Sequence, residues 1–245
     1  MDFKNVWTVA TKDFSLLRTK KTIVYTLIAL PLVMRIGLSA IVWLVVTRNP
    51  TVSYSDIIPL FNAFNFWFII LASAVPAGIA SYSIVGEKVE KSLEPLLSTP
   101  VTDGEILLGK SLSSFLPSIA ATYLGATIFM SLIDIITHQQ LGYFFYPNWG
   151  AAAFLLLAVP LACVFSVEMS VIVSSRVSDV RTASQFGGLM VIPFAALYVL
   201  GEINVVSLTA NTMLIVSAVL LPVNILLFFV SRSTFRRDQI LTEWK

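Results

Sequence analysis

Three groups of residues in this 245-residue sequence have types and spacings that could do chemistry. The first is Gly104-Glu105-Ile106-Leu107-Leu108-Gly109-Lys110-Ser111, which fits G-x-x-x-x-G-K-[ST], the loop whose backbone N–H groups cradle nucleotide phosphates. Such a loop needs a buried strand feeding it and a helix leaving it. Here Ser98-Thr99-Pro100-Val101-Thr102-Asp103 reads as a turn. The loop interior would set the Glu105 carboxylate beside the phosphates and fill the space for close approach with Ile and Leu. Asp103 is a good N-cap with Glu105 in the turn behind it, so the stretch reads as the start of a helix and the match as coincidence. The second group is a pair of charges inside apolar runs, Arg35 and Glu168. A charge at mid-span costs about 2.5–3.5 kcal/mol on insertion scales. The expectation is therefore that Arg35 and Glu168 form an intramembrane charge pair that holds spans together. The third group is polar and aromatic: Asn62 and Asn65 at i and i+3 with Phe66 beside them, and Pro193 and Tyr198 in a later apolar run. These five are candidates to face one another across a translocation path, with helix packing as the competing reading. Cys163 lies in an apolar run and His138 in a loop, and neither has a partner in the sequence. No paired-carboxylate, zinc-type or nucleophile–base cluster is present, so the expectation is a chain that is not an enzyme and holds no metal or cofactor.

The elements that must position these groups follow from composition. Hydrophobic residues make up 57% of the chain and charged residues 12%, against about 45–50% and about 25% in soluble domains. Such a surface belongs in lipid. Residues 2–20 have helical periodicity, with Phe3, Val6, Trp7, Ala10, Phe14 and Leu17 on one face and Lys4, Thr8, Lys12, Ser15 and Arg18 mostly off it. That pattern predicts an amphipathic helix lying in the membrane interface. Six apolar runs follow, at about 22–46, 57–85, 106–136, 149–174, 182–200 and 211–230. At about 1.5 Å per residue, each approaches or exceeds the hydrocarbon thickness of about 30 Å. Of the sixteen Lys and Arg residues, fourteen fall in the N-terminal segment, the loops near 86–111 and 175–181, and the tail. The opposite loops hold only Arg48, and Arg35 is within the first run. This bias predicts a multi-pass cell-membrane protein with both termini and the 86–111 loop cytoplasmic. Tyr143, Phe144, Phe145, Tyr146 and Trp149 read as an aromatic belt on the outer side. Ala74-x-x-x-Gly78, Ala121-x-x-x-Gly125 and Gly187-Gly188 read as close-packing sites between helices. No segment between the runs is long enough to bury a core of its own, which leaves a single transmembrane domain over residues 1–245 with no soluble domain.

The longest charged interruption is 86–111, with Glu87, Glu90, Glu94, Asp103 and Glu105 among its acids and Lys88, Lys91 and Lys110 among its bases. Val89, Leu93, Leu96 and Leu97 fall at i, i+4, i+7 and i+8, an apolar stripe on a short charged helix that Pro95 and Ser98-Thr99-Pro100 terminate. Its physics admits two outcomes: a helix that docks into a groove on a partner, or one that lies on its own bundle. The run GEKVEKSLEPLLSTPV, continued by EILLGK at 105–110, resembles the signature of type-2 ABC (ATP-binding cassette) exporter permeases between their second and third spans. Ser92 stands where that family often has Gly-Thr. The stretch 174–183 with Pro193, and Phe235-Arg236-Arg237-Asp238-Gln239-Ile240-Leu241 in the tail, fit as well. With the six runs and the amphipathic N-terminus, the resemblance covers essentially the whole chain.

The resemblance implies a division of labour. The expected fold is all-α, with six transmembrane helices, an N-terminal interfacial helix and a cytoplasmic coupling helix in 86–100. ATP and Mg would be bound by a separate cytosolic ATP-binding cassette subunit. The coupling residues carried over are Glu87, Glu90, Leu93, Glu94, Leu96 and Leu97, with Glu87 and Glu94 pairing with basic groups on the ATPase. A second permease copy or a paralogue would complete a dimer in the lipid, with the path between subunits lined chiefly by spans two and five. No nucleic-acid partner is expected. A secondary transporter or a membrane scaffold, each working without an ATPase, is the competing class.

Overall fold

The computed structural model describes residues 2–19, 21–48, 54–90, 92, 95, 96, 98–177 and 179–234. Among these the chain is helical, with no strand. In order come α1 (Phe3–Thr19), α2 (Lys21–Arg48), α3 (Tyr54–Val89), α4 (Asp103–Leu141), α5 (Trp149–Ala153), a π-helical turn (Phe154–Ala158), α6 (Val159–Arg176), α7 (Val180–Leu189), α8 (Ile192–Glu202) and α9 (Ala210–Thr234). Six stretches are long and apolar enough to cross a membrane: Leu27–Arg48, Ile57–Glu87, Asp103–His138, Trp149–Arg176, Val180–Glu202 and Ala210–Ser233. The chain is an all-α, multi-pass membrane protein, and the six spans agree with the apolar runs to within a few residues.

The ends of the helices are written in short polar signals. Thr102 is the N-cap of α4, one residue earlier than the sequence suggests, and its backbone N–H donates to the Glu105 carboxylate at 3.0 Å. Gly142 closes α4 in the left-handed conformation, φ 72°, where a side chain would be strained. The Asn148 side chain accepts the Ala151 N–H and starts α5, and Asp179 does the same for α7 through Thr182 N–H. Hydrogen bonds from Thr182 hold the exposed Asp179 carboxyl below its ordinary value. Two spans depart from regular helix. The fourth widens into the π turn at Phe154–Ala158, just ahead of Pro160. The fifth, expected as one run, is two helices separated by a turn at Met190 and Val191, where both N–H groups reach back only three residues, to Gly187 and Gly188.

The helix α3 is the axle of the bundle. It packs against α2, α4, α6, α7 and α8, and 78% of its most apolar window is buried in the chain, against 22% for the windows in α2, α7–α8 and α9. Its Phe61, Phe66 and Phe68 are buried with Phe129 of α4 and Phe154 of the π turn, in edge-to-face pairs such as Phe68–Phe129 at 5.7 Å. Gly187 lets α7 approach α3 so closely that an added Cβ would lie 3.1 Å from the Ala77 carbonyl oxygen. Gly125 likewise abuts Pro31 and Arg35 of α2, as expected of a packing glycine. Gly78 and Gly188 do not behave that way: nothing in the chain lies within 4 Å of a Cβ built on either.

Candidate functional site

At the end of the bundle that carries α1, four charged side chains from three helices meet. Lys110 of α4 is fully buried, with its Nζ 3.0 Å from Glu87 Oε2, 3.6 Å from Asp13 Oδ2 and 2.8 Å from the Ser83 carbonyl oxygen. The Ser83 carbonyl accepts a hydrogen bond from this ammonium, and the two carboxylates balance its charge as ion-pair neighbours. Glu87, at the end of α3, also accepts from Lys12 of α1 at 2.6 Å, and Ser113 donates to Asp13 at 3.2 Å. Burial pushes the Asp13 carboxyl above its ordinary value; Lys110 opposes that shift and Glu87 adds to it. A second link lies one turn away, where Glu105 accepts from the Asp2 N–H and the Asn5 side-chain amide. Between the two links α1 lies flat on α4 at Gly109, where an added Cβ would fall 2.7 Å from Val9 Cβ and 2.9 Å from the Val6 carbonyl oxygen. The residues of the nucleotide-loop pattern thus have other work. Gly104–Ser111 is helix throughout, Glu105 caps it, Gly109 admits α1, and Lys110 anchors the ion cluster.

The coupling candidates divide. Glu87, expected to pair with a basic group on a partner, is 4% exposed and taken by Lys12 and Lys110 of its own chain. Glu90 is exposed and accepts from the Tyr82 hydroxyl at 2.8 Å. Leu96 is buried against Ala80, Ile84, Ile106, Leu107, Val167 and Val171, so this leucine lies on its own bundle. Val89 is exposed. Leu93, Glu94 and Leu97 lie outside the described residues.

The intramembrane charge pair does not form. Glu168 has no salt bridge among the described residues and accepts instead from Ser111 at 3.2 Å. Arg35 is fully buried, its guanidinium carbon is 3.6 Å from the centroid of the Phe68 ring, and its three nitrogens have no hydrogen-bond partner. The two residues belong to different neighbourhoods: Arg35 to Gly125, Phe68 and Pro31, Glu168 to Ser111 near the start of α4. Complementary charge in a sequence does not fix depth, and the 39 residues of α4, about eleven turns, offer many levels.

Of the path candidates, Phe66 and Tyr198 meet, with ring centroids 5.9 Å apart, and Trp67 joins them at 5.7 Å. Asn65 is buried inside the chain and accepts from the Tyr146 hydroxyl at 3.0 Å. Asn62 is half-buried and Pro193 is exposed at the start of α8. The expected aromatic belt also splits. Tyr143, Phe144 and Trp149 are exposed, whereas Phe145 stacks on Phe61 at 4.6 Å and Tyr146 plugs the bundle, their N–H groups both donating to Asp134. His138 does have a neighbour: it stacks on Phe144 at 4.8 Å.

The sequence reading missed the ion cluster, although a signal for it exists. Val6, Val9, Ala10 and Asp13 fall at i, i+3, i+4 and i+7 and are the buried face of α1. That face is rotated from the wholly apolar stripe, so Phe3 and Trp7 remain exposed. An acid at the end of a buried stripe asks for a buried base, and Lys110 supplies it. A scan against protein-family models finds no match, and a search of curated proteins finds none.

Proposed function

We propose that this chain is the permease subunit of an ATP-driven ABC exporter, moving its substrate by alternating access under the control of a separate ATPase chain. In this reading both termini and the 86–100 segment are cytoplasmic, α1 lies in the interface, and 86–100 is the coupling element. Two permease copies, or one copy and a paralogue, pair in the cell membrane. The single observation that supports it is the fastening of the 86–111 stretch. Its first residue pair with chemistry, Glu87 with Lys110, joins the end of α3 to the start of α4, and Leu96 presses on Ile84 and Ile106. A push on 88–100 is therefore delivered to α3, the most buried helix, rather than absorbed by a slack loop. Contact with the ATPase falls to the exposed Glu90 and, as the resemblance implies, to Leu93, Glu94 and Leu97. The exposed Gly78 and Gly188 offer small-residue surfaces to a second copy.

Co-purification tests the reading. A cytosolic ATP-binding cassette chain should come down with the membrane protein, and Leu93→Asp should release it while leaving the permease folded. Efflux from cells or vesicles should need hydrolysable ATP. Transport by the purified chain alone would instead establish a secondary transporter, and neither transport nor an ATPase partner would establish a scaffold.

A further inference from the structure

Between α4, α6 and α9 lies a cleft of about 470 Å³, within the range of sites for small organic molecules. Its walls are almost wholly apolar, with Leu112, Phe115, Val164, Ile225 and Phe228 among them. Ile225 and Phe229 at its rim are more than half exposed, so it opens sideways, toward what surrounds a spanning bundle: lipid.

Three polar side chains break the apolar wall: Ser111, Glu168 and Asn224. Glu168 is 5% exposed, eight residues from the end of α6, and has no basic partner among the described residues. Asn224 is 7% exposed; its amide N–H donates to the Leu161 carbonyl oxygen at 2.9 Å, which fixes the orientation of the amide and leaves Oδ1 with no donor. The hydroxyl of Ser111, the other polar group in the wall, is used on Glu168. The Asn224 amide oxygen is buried beneath the wall, which leaves the Glu168 carboxylate bordering an apolar cleft that supplies no cation among the described residues. Leaving a carboxylate without a counter-charge in low dielectric is costly, and a donor-bearing cation answers it.

We propose that this cleft binds a hydrophobic ammonium cation drawn from the bilayer, with its N–H groups on Glu168 and its apolar body against Phe115 and Phe228. A phospholipid fits less well, because its phosphate would come close to the Glu168 carboxylate. An anionic amphiphile meets the same repulsion, and a neutral one leaves the carboxylate unpaired. The inference does not rest on the permease reading: a chain without an ATPase partner would bind the cation equally.

The test uses the full chain in phosphatidylcholine nanodiscs, a lipid with no N–H donor, and dodecylammonium as the probe. Binding is read by the shift of the thermal transition and by native mass spectrometry. Dodecylammonium should bind saturably, dodecyltrimethylammonium about tenfold or more weakly for want of N–H donors, and dodecyl sulfate not at all. Glu168→Gln should weaken dodecylammonium by about tenfold or more. Ile225→Trp, which fills the cleft from its exposed rim, should abolish binding while leaving the ligand-free transition in place. Equal affinity for the native chain and Glu168→Gln, or equal binding of dodecyl sulfate, would overturn the proposal. So would Glu168-dependent retention of added phosphatidylethanolamine in preference to the amine, which would make the cleft a lipid site.

Discussion

Two regions of this molecule treat charge in opposite ways. At the end that carries α1, Lys12, Asp13, Glu87 and Lys110 lie within one network, and the fully buried ammonium has two carboxylates and a carbonyl oxygen around it. In the spans, Arg35 and Glu168 are as buried as any core residue, yet neither has an ionic partner among the described residues. The first arrangement is what a joint needs. Removing one member strands the others, so the geometry is held by the cost of leaving it. The second stores an unmet requirement. Arg35 has only the face of Phe68, and Glu168 has serine hydroxyls, Ser111 and Ser231, and an open cleft. Charges that lock and charges that wait are told apart by their partners and not by their burial.

The comparison can be broken most directly at Lys110. Lys110→Met should destabilise the folded chain by about 3–5 kcal/mol, because the Asp13 and Glu87 carboxylates are left buried without their cation. The measurement is the thermal or denaturant transition of the purified chain, and adding Glu87→Gln should recover part of the loss. An effect within a few tenths of a kcal/mol would show that the network does not act as a joint. A smaller effect is expected at Gly109. Gly109→Val pushes a side chain into Val9 and the Val6 backbone, at a cost of about 1–3 kcal/mol, whereas Gly104→Ala, in the first turn of α4, meets open space and should cost nothing.

The titration of Asp13 sharpens the contrast by direction. Its carboxyl holds a proton in the folded chain to a pH above its ordinary value of 3.8. In the window just above 3.8 the folded state then binds more protons than the unfolded one, so stability falls as pH rises through it. Asp13→Asn should remove that slope, which a pH series of unfolding transitions of the two proteins will read. Arg35 should give the smallest effect on stability. Arg35→Met replaces an unpaired charge by an apolar chain of similar length, and the outcome should lie between no change and a gain of about 1 kcal/mol. A loss of several kcal/mol would place Arg35 with the locked charges.

Much of the fold was legible in the sequence, because six long apolar runs are a property of composition and need no contact to be read. The helix start near 103 was legible for the same reason: Thr102 and Glu105 act within one turn of each other. What could not be read is which side chains meet across helices. Arg35 and Glu168 look like partners only while depth is ignored. Glu87 looks like a surface acid until α1 folds back over it, and the face of α1 that does so contains an acid and a short aliphatic stripe rather than its largest apolar residues. The break at Met190 was hidden because Gly187, Gly188 and Pro193 are also found in continuous membrane helices, where neighbouring helices re-satisfy the backbone.

The close approach at Gly109, with the ion cluster and the Glu105 link on either side of it, fastens α1 to α4. The outer face of α1 carries Phe3 and Trp7, both exposed. Any rocking of α4 must therefore drag those rings up or down through their surroundings. In a bilayer that displacement does work against lateral pressure. Under the proposed alternating access, the balance between two tilts of the bundle would then depend on acyl-chain packing and on membrane thickness, with α1 as the float.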